Sequence, residues 1–164
     1  MKKLLLASAA TALMAGGANA GGHIEIKLGI LFGFTGPIES LTGPMGAGAE
    51  LAISEVNEAG GIVGNHQVQV VSADTGCIDN GLATSNAERL IAEGVNGIIG
   101  GACSGVPGAI LATVALPHGV VLISPSATSP ALSAAEDNGL FFRTATSDAR
   151  QGAVLAESLV EKGM

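Results

Sequence analysis

The sequence is poor in aromatic and basic residues. It contains no Trp, no Tyr and four Phe in 164 residues, and seven Lys and Arg against fourteen Asp and Glu. Nucleic-acid bases are commonly stacked on aromatic rings, and nucleic acids and anionic membranes are held by a basic surface. We therefore expect neither a nucleic-acid partner nor membrane insertion, and few aromatic platforms for sugars.

The first twenty residues predict a secretory signal peptide. Lys2 and Lys3 precede an apolar stretch, 4–15, that is too short to span a bilayer, and A-N-A at 18–20 is a typical cleavage site. Cleavage there leaves 21–164 as the mature chain and removes two basic and no acidic residues, so the formal charge becomes −9. No later segment has the length and apolarity of a membrane helix. These features predict export to a bacterial periplasm.

Cysteine is scarce as well, with only Cys77 and Cys103. In an oxidising compartment two cysteines are usually joined, and the bridge would close a loop of about 26 residues and contribute on the order of 3 kcal/mol. Two free thiols are the alternative. In that case G-A-C-S-G at 101–105 would resemble a nucleophile elbow, with Cys103 as the nucleophile of an α/β hydrolase. The compartment favours the disulfide, and we expect no enzymatic activity.

Apolar runs alternate with helical stretches along the whole chain. The predicted strands are 24–32, 67–73, 97–100, 120–123 and 140–144, and the predicted helices are 44–59, 82–93, 106–116 and 148–162. Pro44 is placed in the first turn of its helix, and Pro117 beyond the end of the third helix. This alternation predicts right-handed βαβ units, and thus an α/β fold: a doubly wound parallel sheet with helices on both faces.

Small hydroxyl residues follow the fourth predicted strand, in the segment S-P-S-A-T-S-P at 124–130. Ligands of parallel sheets bind at the carboxyl ends of the strands, and the two prolines stiffen this loop. Thr128 can offer its backbone N–H to an anion and its hydroxyl oxygen to an ammonium, and the carbonyl of Ser126 can accept from the same ammonium. The alternative is a turn bounded by prolines, with its hydroxyls facing water.

Ser104 follows the third predicted strand and directly precedes a predicted helix. Its hydroxyl and the nearby backbone N–H groups can hold a carboxylate, helped by the helix dipole. An ordinary helix N-cap is the alternative use, and the two uses are compatible. Together with the loop at 124–130, Ser104 predicts a site for a zwitterion.

Several motifs, taken in order, resemble one known family. They are I-K-L-G-I at 26–30, T-G-P at 35–37, G-A-E-L-A at 48–52, V-N-E-A-G-G-I at 56–62, C-S at 103–104, S-P-S-A-T-S-P at 124–130 and F-R-T at 142–144. From Ile26 onward the chain is similar to the first lobe of the substrate-binding proteins of branched-chain amino-acid ABC transporters. These leucine/isoleucine/valine-binding proteins have the type I periplasmic binding fold.

The resemblance implies six ligand-binding positions, which are Leu41, Ala102, Ser104, Ser126, Ala127 and Thr128. Leu41 stands where some relatives place an aromatic residue against the ligand side chain, and Ala102 would line the aliphatic side of the pocket. The resemblance also matches Cys77 and Cys103 to the family's disulfide. Neither a metal nor any other cofactor is implied.

The function implied by the resemblance is capture of a small amino acid, most simply a branched-chain one, and its delivery to the permease subunits of an ABC transporter. A ligand sensor with the same fold is the main alternative. Family members continue into a second lobe that closes over the ligand and supplies an acidic partner for its ammonium. We therefore expect residues 21–164 to be the first lobe only, from a truncated chain, and the full-length protein to be a monomer.

Overall fold

The structure is a computed structural model that describes residues 25–62 and 65–164, so the predicted signal peptide lies outside the described residues. Its strands are β1 (Ile26–Phe32), β2 (Val68–Asp74), β3 (Gly97–Gly100), β4 (Val121–Ser124) and β5 (Phe141–Arg143). Its helices are α1 (Glu39–Glu58), α2 (Asn80–Ala92), α3 (Gly105–Ile110), α4 (Leu116–His118), α5 (Ala131–Ala134) and α6 (Asp148–Glu161). A π-helical segment, Leu111–Ala115, joins α3 directly to α4.

The five strands form one parallel sheet in the order β2-β1-β3-β4-β5, which confirms the predicted fold class. From β1 the chain first adds β2 on one side and then β3 on the other. The strand order therefore reverses between β1 and β3. In such sheets the crevice at the carboxyl ends next to the reversal is the usual ligand site.

Alternating side chains of the strands pack against helices on both faces of the sheet. Leu31, Ile98 and Leu122 belong to the core formed with α2 and α3, whereas Ile30 and Phe32 pack on the side of α1. On the face of Ile30 and Phe32, α1 is the only described helix that contributes to the core. The β5 end of that face is therefore incompletely covered. A row of paired residues crosses this face from β1 to β5: Ile30, Ile99, Ile123 and Phe142. Phe142, at the end of the row, is 52% exposed.

The first helix begins earlier than predicted. It starts at Glu39, so Pro44 lies at its sixth residue instead of in its first turn. Thr42 explains the difference, because it is buried and its hydroxyl donates to the carbonyl of Gly33 in the loop after β1. This tertiary contact fixes the first turn before Pro44 is reached, and the helix forgoes the one hydrogen bond that proline cannot donate.

Pro117 also lies inside a helical segment rather than beyond its end, because α4 spans Leu116–His118. Proline has no N–H to donate and its ring crowds the carbonyl four residues earlier. The preceding π-helical turn is wider than an α-helical one, and such turns commonly accompany an interruption of the hydrogen-bond ladder. Gly119 then ends the segment in the left-handed conformation, with φ of 67°.

An apolar cavity of about 360 Å³ lies between α1 and the sheet. Its walls are aliphatic side chains such as Leu28, Ile53, Val56 and Ile99. Ligand sites combine apolar walls with a few convergent polar groups, and this cavity lacks the polar groups. We therefore do not assign the ligand to it. No helix in the described part of the chain is long and apolar enough to cross a membrane.

Candidate ligand-binding site

Ser124 connects the loops that follow β3 and β4. It is the last residue of β4 and is fully buried, although the sequence places it just after the strand. Its hydroxyl donates to the carbonyl of Gly101 over 2.7 Å and accepts from the backbone N–H of Ala127 over 3.0 Å. Both hydrogen-bonding roles of a buried hydroxyl are thus used to hold two neighbouring loops together.

Ser104 forms a second connection between the same loops. Its Oγ accepts hydrogen bonds from the backbone N–H groups of Thr128 (3.1 Å) and Ser129 (3.2 Å). Ser104 stands at the N-cap position of α3 but makes no side-chain cap bond, so its hydroxyl serves the neighbouring loop instead. The structure also assigns the Thr128 N–H to Ser104, where the sequence had suggested an anion. The loop turns this N–H toward β3 because the two strand ends are adjacent.

The hydroxyl of Ser126 points back to the loop after β3. It lies 3.2 Å from the carbonyl oxygen of Ala102 and 3.8 Å from the sulfur of Met45 on α1. Within the described part of the chain, nothing donates a hydrogen bond to the carbonyl oxygen of Ser126. Ala102 is buried, at 6% exposure. Met45 carried no motif in the sequence, and only the packing of α1 brings it to this loop.

Thr128 is joined to the start of α6. Its Oγ1 donates to Oδ2 of Asp148 over 3.0 Å, and the backbone N–H of Asp148 donates to the carbonyl of Thr128 over 2.9 Å. Sequence reasoning missed Asp148 as a member of the site. An acidic residue in the first turn of a helix is ordinarily explained by the helix dipole alone, and nothing in the sequence singles this one out.

Arg143 holds the loop at 124–130 through hydrogen bonds to its carbonyl groups. The sequence did not single it out as a site residue, although it lies within the F-R-T motif. It is the last residue of β5, and its Nη1 donates to the carbonyls of Ala127 (3.2 Å) and Ser129 (2.9 Å). Its Nη2 donates to the hydroxyl of Ser133. Ala127 is fully buried, its N–H donates to the Ser124 hydroxyl, and its carbonyl accepts from Arg143. In this structure its backbone holds the loop in place.

The structure therefore brings four of the six predicted ligand positions to one edge of the sheet: Ala102, Ser104, Ser126 and Thr128. Ala127 lies beneath them in the same loop. Leu41 lies on α1 and is 57% exposed, and none of the hydrogen bonds described above involves it. The assignment of these residues to a ligand remains a prediction.

Cys77 and Cys103 form a disulfide with a Cα–Cα distance of 5.5 Å, as expected from the export signal. The bridge joins the loop after β2 to the loop after β3, directly before Ser104. It also removes the free thiol that a cysteine hydrolase would need, because only a thiolate acts as the nucleophile. The elbow-like glycines at 101 and 105 therefore flank a disulfide and no nucleophile.

Asp74 fastens the loop after β1 to the loop after β2, close to this disulfide. Its carboxylate accepts from the backbone N–H groups of Thr35 (3.2 Å) and Gly76 (3.0 Å) and from the Thr35 hydroxyl. Burial by itself raises the pKa of Asp74, but the hydrogen bonds from the Thr35 hydroxyl and these N–H groups outweigh it. The pKa of Asp74 therefore lies below its ordinary value of 3.8.

Asp74→Asn is expected to destabilise the fold by about 1 kcal/mol at pH 7, because charge-assisted hydrogen bonds are lost and solvent screens part of their strength. A carboxyl with a lowered pKa stabilises fully above its unfolded-state pKa and loses this contribution as the pH falls through the folded-state pKa. The difference between mutant and wild type should thus shrink below pH 4. Urea unfolding at pH 7 and pH 3 measures it, and an equal difference at both values would contradict the role of the charge.

Comparison with known proteins identifies the family of the chain. Residues 25–164 match the family model described as periplasmic binding protein. The chain is 31% identical over 163 residues to the Leu/Ile/Val-binding protein homolog 3 of Brucella melitensis, a match that covers 98% of this chain and 42% of that protein.

Two solved structures share the fold. One is the branched-chain amino acid transporter substrate-binding protein of Streptococcus pneumoniae in complex with isoleucine, with TM-score 0.69 and 34% identity over 76% of this chain and 34% of that one. The other is a solute-binding protein of an R. palustris ABC transporter in complex with benzoate, with TM-score 0.69 and 25% identity over 85% of this chain and 38% of that one.

The parallel sheet, together with the family match over residues 25–164, defines the class as a binding protein. The chain belongs to the periplasmic binding protein family, among the proteins related to Leu/Ile/Val-binding proteins. This confirms both the resemblance and the prediction that the chain is not an enzyme. The chain spans less than half the length of each of these three proteins.

Proposed function

We propose that this chain is the first lobe of a periplasmic solute-binding protein that captures a small amino acid, with leucine, isoleucine and valine as the first candidates. The protein would deliver its ligand to the permease of an ABC transporter. The relatives named above support the transport role, since both solved structures are of substrate- or solute-binding proteins of transporters. One of them holds isoleucine and the other benzoate. The choice between these ligand classes rests on the polarity of this chain's own loops.

The observation that carries the proposal is the opposite polarity of two neighbouring hydroxyls. Ser104 Oγ already accepts two backbone N–H groups, and its proton is donated to no other described residue. This hydroxyl is therefore a donor suited to a ligand carboxylate. Thr128 Oγ1 gives its proton to Asp148, so its lone pairs stay available to a donor such as an ammonium. The carbonyl oxygen of Ser126 also has lone pairs available to such a donor. A donor beside two acceptors matches a zwitterion.

The remaining part of the pocket would be apolar. Met45 borders the Ser126 hydroxyl with its sulfur and offers flexible apolar surface, and the largely buried Ala102 adds a small side chain next to it. The exposed side chain of Leu41 is available to a ligand side chain or to a second lobe. Apolar walls with a few convergent polar groups are typical of sites for small molecules, and here they favour an aliphatic side chain.

Capture would use closure of two lobes around the ligand. The family relatives are more than twice as long as this chain, which supports a second lobe in the complete protein. Binding energy gained only in the closed arrangement would shift the equilibrium toward it. Residues 21–164 would then supply half of the contacts.

The mature chain alone is expected to bind L-leucine weakly, with a dissociation constant of about 1–10 mM, because half of the contacts are missing. Amide NMR titration measures this, and the shifts should concentrate on Thr128 and Ser129. Isoleucine and valine serve as parallel ligands, and L-glutamate as the matched zwitterion with a charged side chain. Micromolar affinity would contradict the half-site, and an absence of shifts with all three branched-chain amino acids would contradict the proposed function.

A further inference from the structure

We propose that Asp148 is a positioning and specificity residue: through Thr128 it selects ligands that carry an ammonium group over acids of the same shape that lack one. This inference rests on the proposed function and deepens it. It assigns an acidic partner for the ammonium to the present chain, whereas the family resemblance had implied one only in a second lobe.

Thr128 and Asp148 are joined at two points. The two hydrogen bonds between Thr128 and Asp148 run in opposite directions, one from side chain to side chain (3.0 Å) and one from the backbone of Asp148 to the backbone of Thr128 (2.9 Å). Such a double contact fixes the rotation of the Thr128 side chain. It also fixes the start of α6 relative to the loop at 124–130. The pair therefore acts as one unit.

The carboxylate of Asp148 also sets the direction of the Thr128 hydroxyl proton. An ionised carboxylate can only accept hydrogen bonds, so Thr128 must be the donor in its bond to Asp148. Its single hydroxyl proton is then occupied, and only lone pairs remain for a ligand. An ammonium satisfies these lone pairs and a carboxylate does not. Asp148 thus determines which end of a zwitterion faces Thr128.

The charge of Asp148 would also attract the ammonium of a ligand directly. An ammonium nitrogen bonded to Thr128 Oγ1 would lie within about 6 Å of the Asp148 carboxylate, close enough for the charges to attract. Arg143, at the end of β5, is a cation that contacts this loop, and its guanidinium is directed to the carbonyls of Ala127 and Ser129 and to Ser133. Because Asp148 is exposed, water weakens the attraction, and we expect a contribution of roughly tenfold in affinity.

The test is an amide NMR titration of the mature chain with two ligands of one carbon skeleton. L-Leucine carries the ammonium, and 4-methylpentanoate is the same acid without it. Wild type should prefer L-leucine by about tenfold or more, because only leucine satisfies the Thr128 lone pairs. In Asp148→Asn, which keeps an oxygen to accept from Thr128, L-leucine should bind about tenfold more weakly. 4-Methylpentanoate should bind no more weakly than to wild type.

Two further variants separate this role from a general effect of charge or helix structure. Glu157→Gln removes the same charge from an exposed position farther along α6 and should leave both affinities unchanged. Asp148→Glu keeps the charge and should retain the preference for L-leucine. A residue that merely stabilised the first turn of α6 would alter both ligands equally.

The outcomes distinguish this inference from the proposed function. If wild type and Asp148→Asn bind L-leucine equally, or if the variant loses both ligands in parallel, the inference is overturned and the proposed function stands. If wild type binds only 4-methylpentanoate, or neither ligand, the proposed function fails and this inference fails with it. A leucine preference that falls in Asp148→Asn and persists in Glu157→Gln supports both.

Discussion

Replacing both Cys77 and Cys103 with alanine is expected to destabilise the fold by about 3 kcal/mol and to lower the Tm by roughly 10 °C. The disulfide links residues 26 positions apart, and closing a loop of that size restricts the unfolded chain more than the folded one. Cys77 is also 1% exposed, so its side chain is part of the packed interior. Thermal and urea unfolding of the mature chain measure both quantities.

The reduced wild type is the matched control for this double variant. A reductant should lower the Tm of the wild type by a similar amount and leave the Tm of the double variant unchanged. Thiol titration of the native oxidised protein should find no reactive thiol. A Tm within about 2 °C of wild type, or two titratable thiols in the native protein, would contradict a structural disulfide.

The disulfide is also expected to contribute to the ligand site, because Cys103 directly precedes Ser104. Fixing Cys103 to the loop after β2 limits the freedom of the chain that carries the Ser104 hydroxyl. Asp74 strengthens the same region through its bonds to Thr35 and Gly76. The two connections together hold the loops after β1, β2 and β3 to one another at the carboxyl edge of the sheet.

Most of the fold could be predicted from the sequence, because the strands are short apolar runs bounded by turn residues. The strand at 97–100 has the predicted bounds, β1 has the predicted end, and β2, β4 and β5 each differ by one residue at both ends. The errors came from tertiary contacts that override local signals. Thr42 lets α1 begin before Pro44, and the π-helical turn accommodates Pro117. The four-residue helix α5 carries no periodic signal and was missed.

The candidate site could be predicted in part for a related reason. The carboxyl ends of β3 and β4 are adjacent in any such sheet, so Ser104 and the loop at 124–130 were expected to meet. The direction of each hydrogen bond was not predictable, and the Thr128 N–H was assigned to an anion when it binds Ser104. Arg143 and Asp148 lie 15 and 20 residues beyond Thr128, and only the return of the chain through β5 brings them to it.

Ser104→Ala is expected to weaken the binding of L-leucine by about ten- to a hundredfold, which corresponds to roughly 1–3 kcal/mol for a hydrogen bond to a charged group. The variant removes the donor proposed for the ligand carboxylate. It also leaves the backbone N–H groups of Thr128 and Ser129 without their acceptor, so stability should fall by about 1 kcal/mol. Amide NMR titration and urea unfolding measure the two effects separately.

Ser129→Ala is the matched control, since it also removes a hydroxyl from this loop. The described contact of that hydroxyl is the backbone N–H of Ala131, at 3.3 Å. This control should keep the affinity of wild type. A third measurement separates lost loop order from lost ligand contact: 3-methylbutylamine, which has no carboxylate, should bind Ser104→Ala nearly as it binds wild type. If Ser104→Ala weakened the amine as much as L-leucine, Ser104 would order the loop without contacting the carboxylate. If it weakened neither ligand, the carboxylate would have to bind elsewhere on this edge of the sheet.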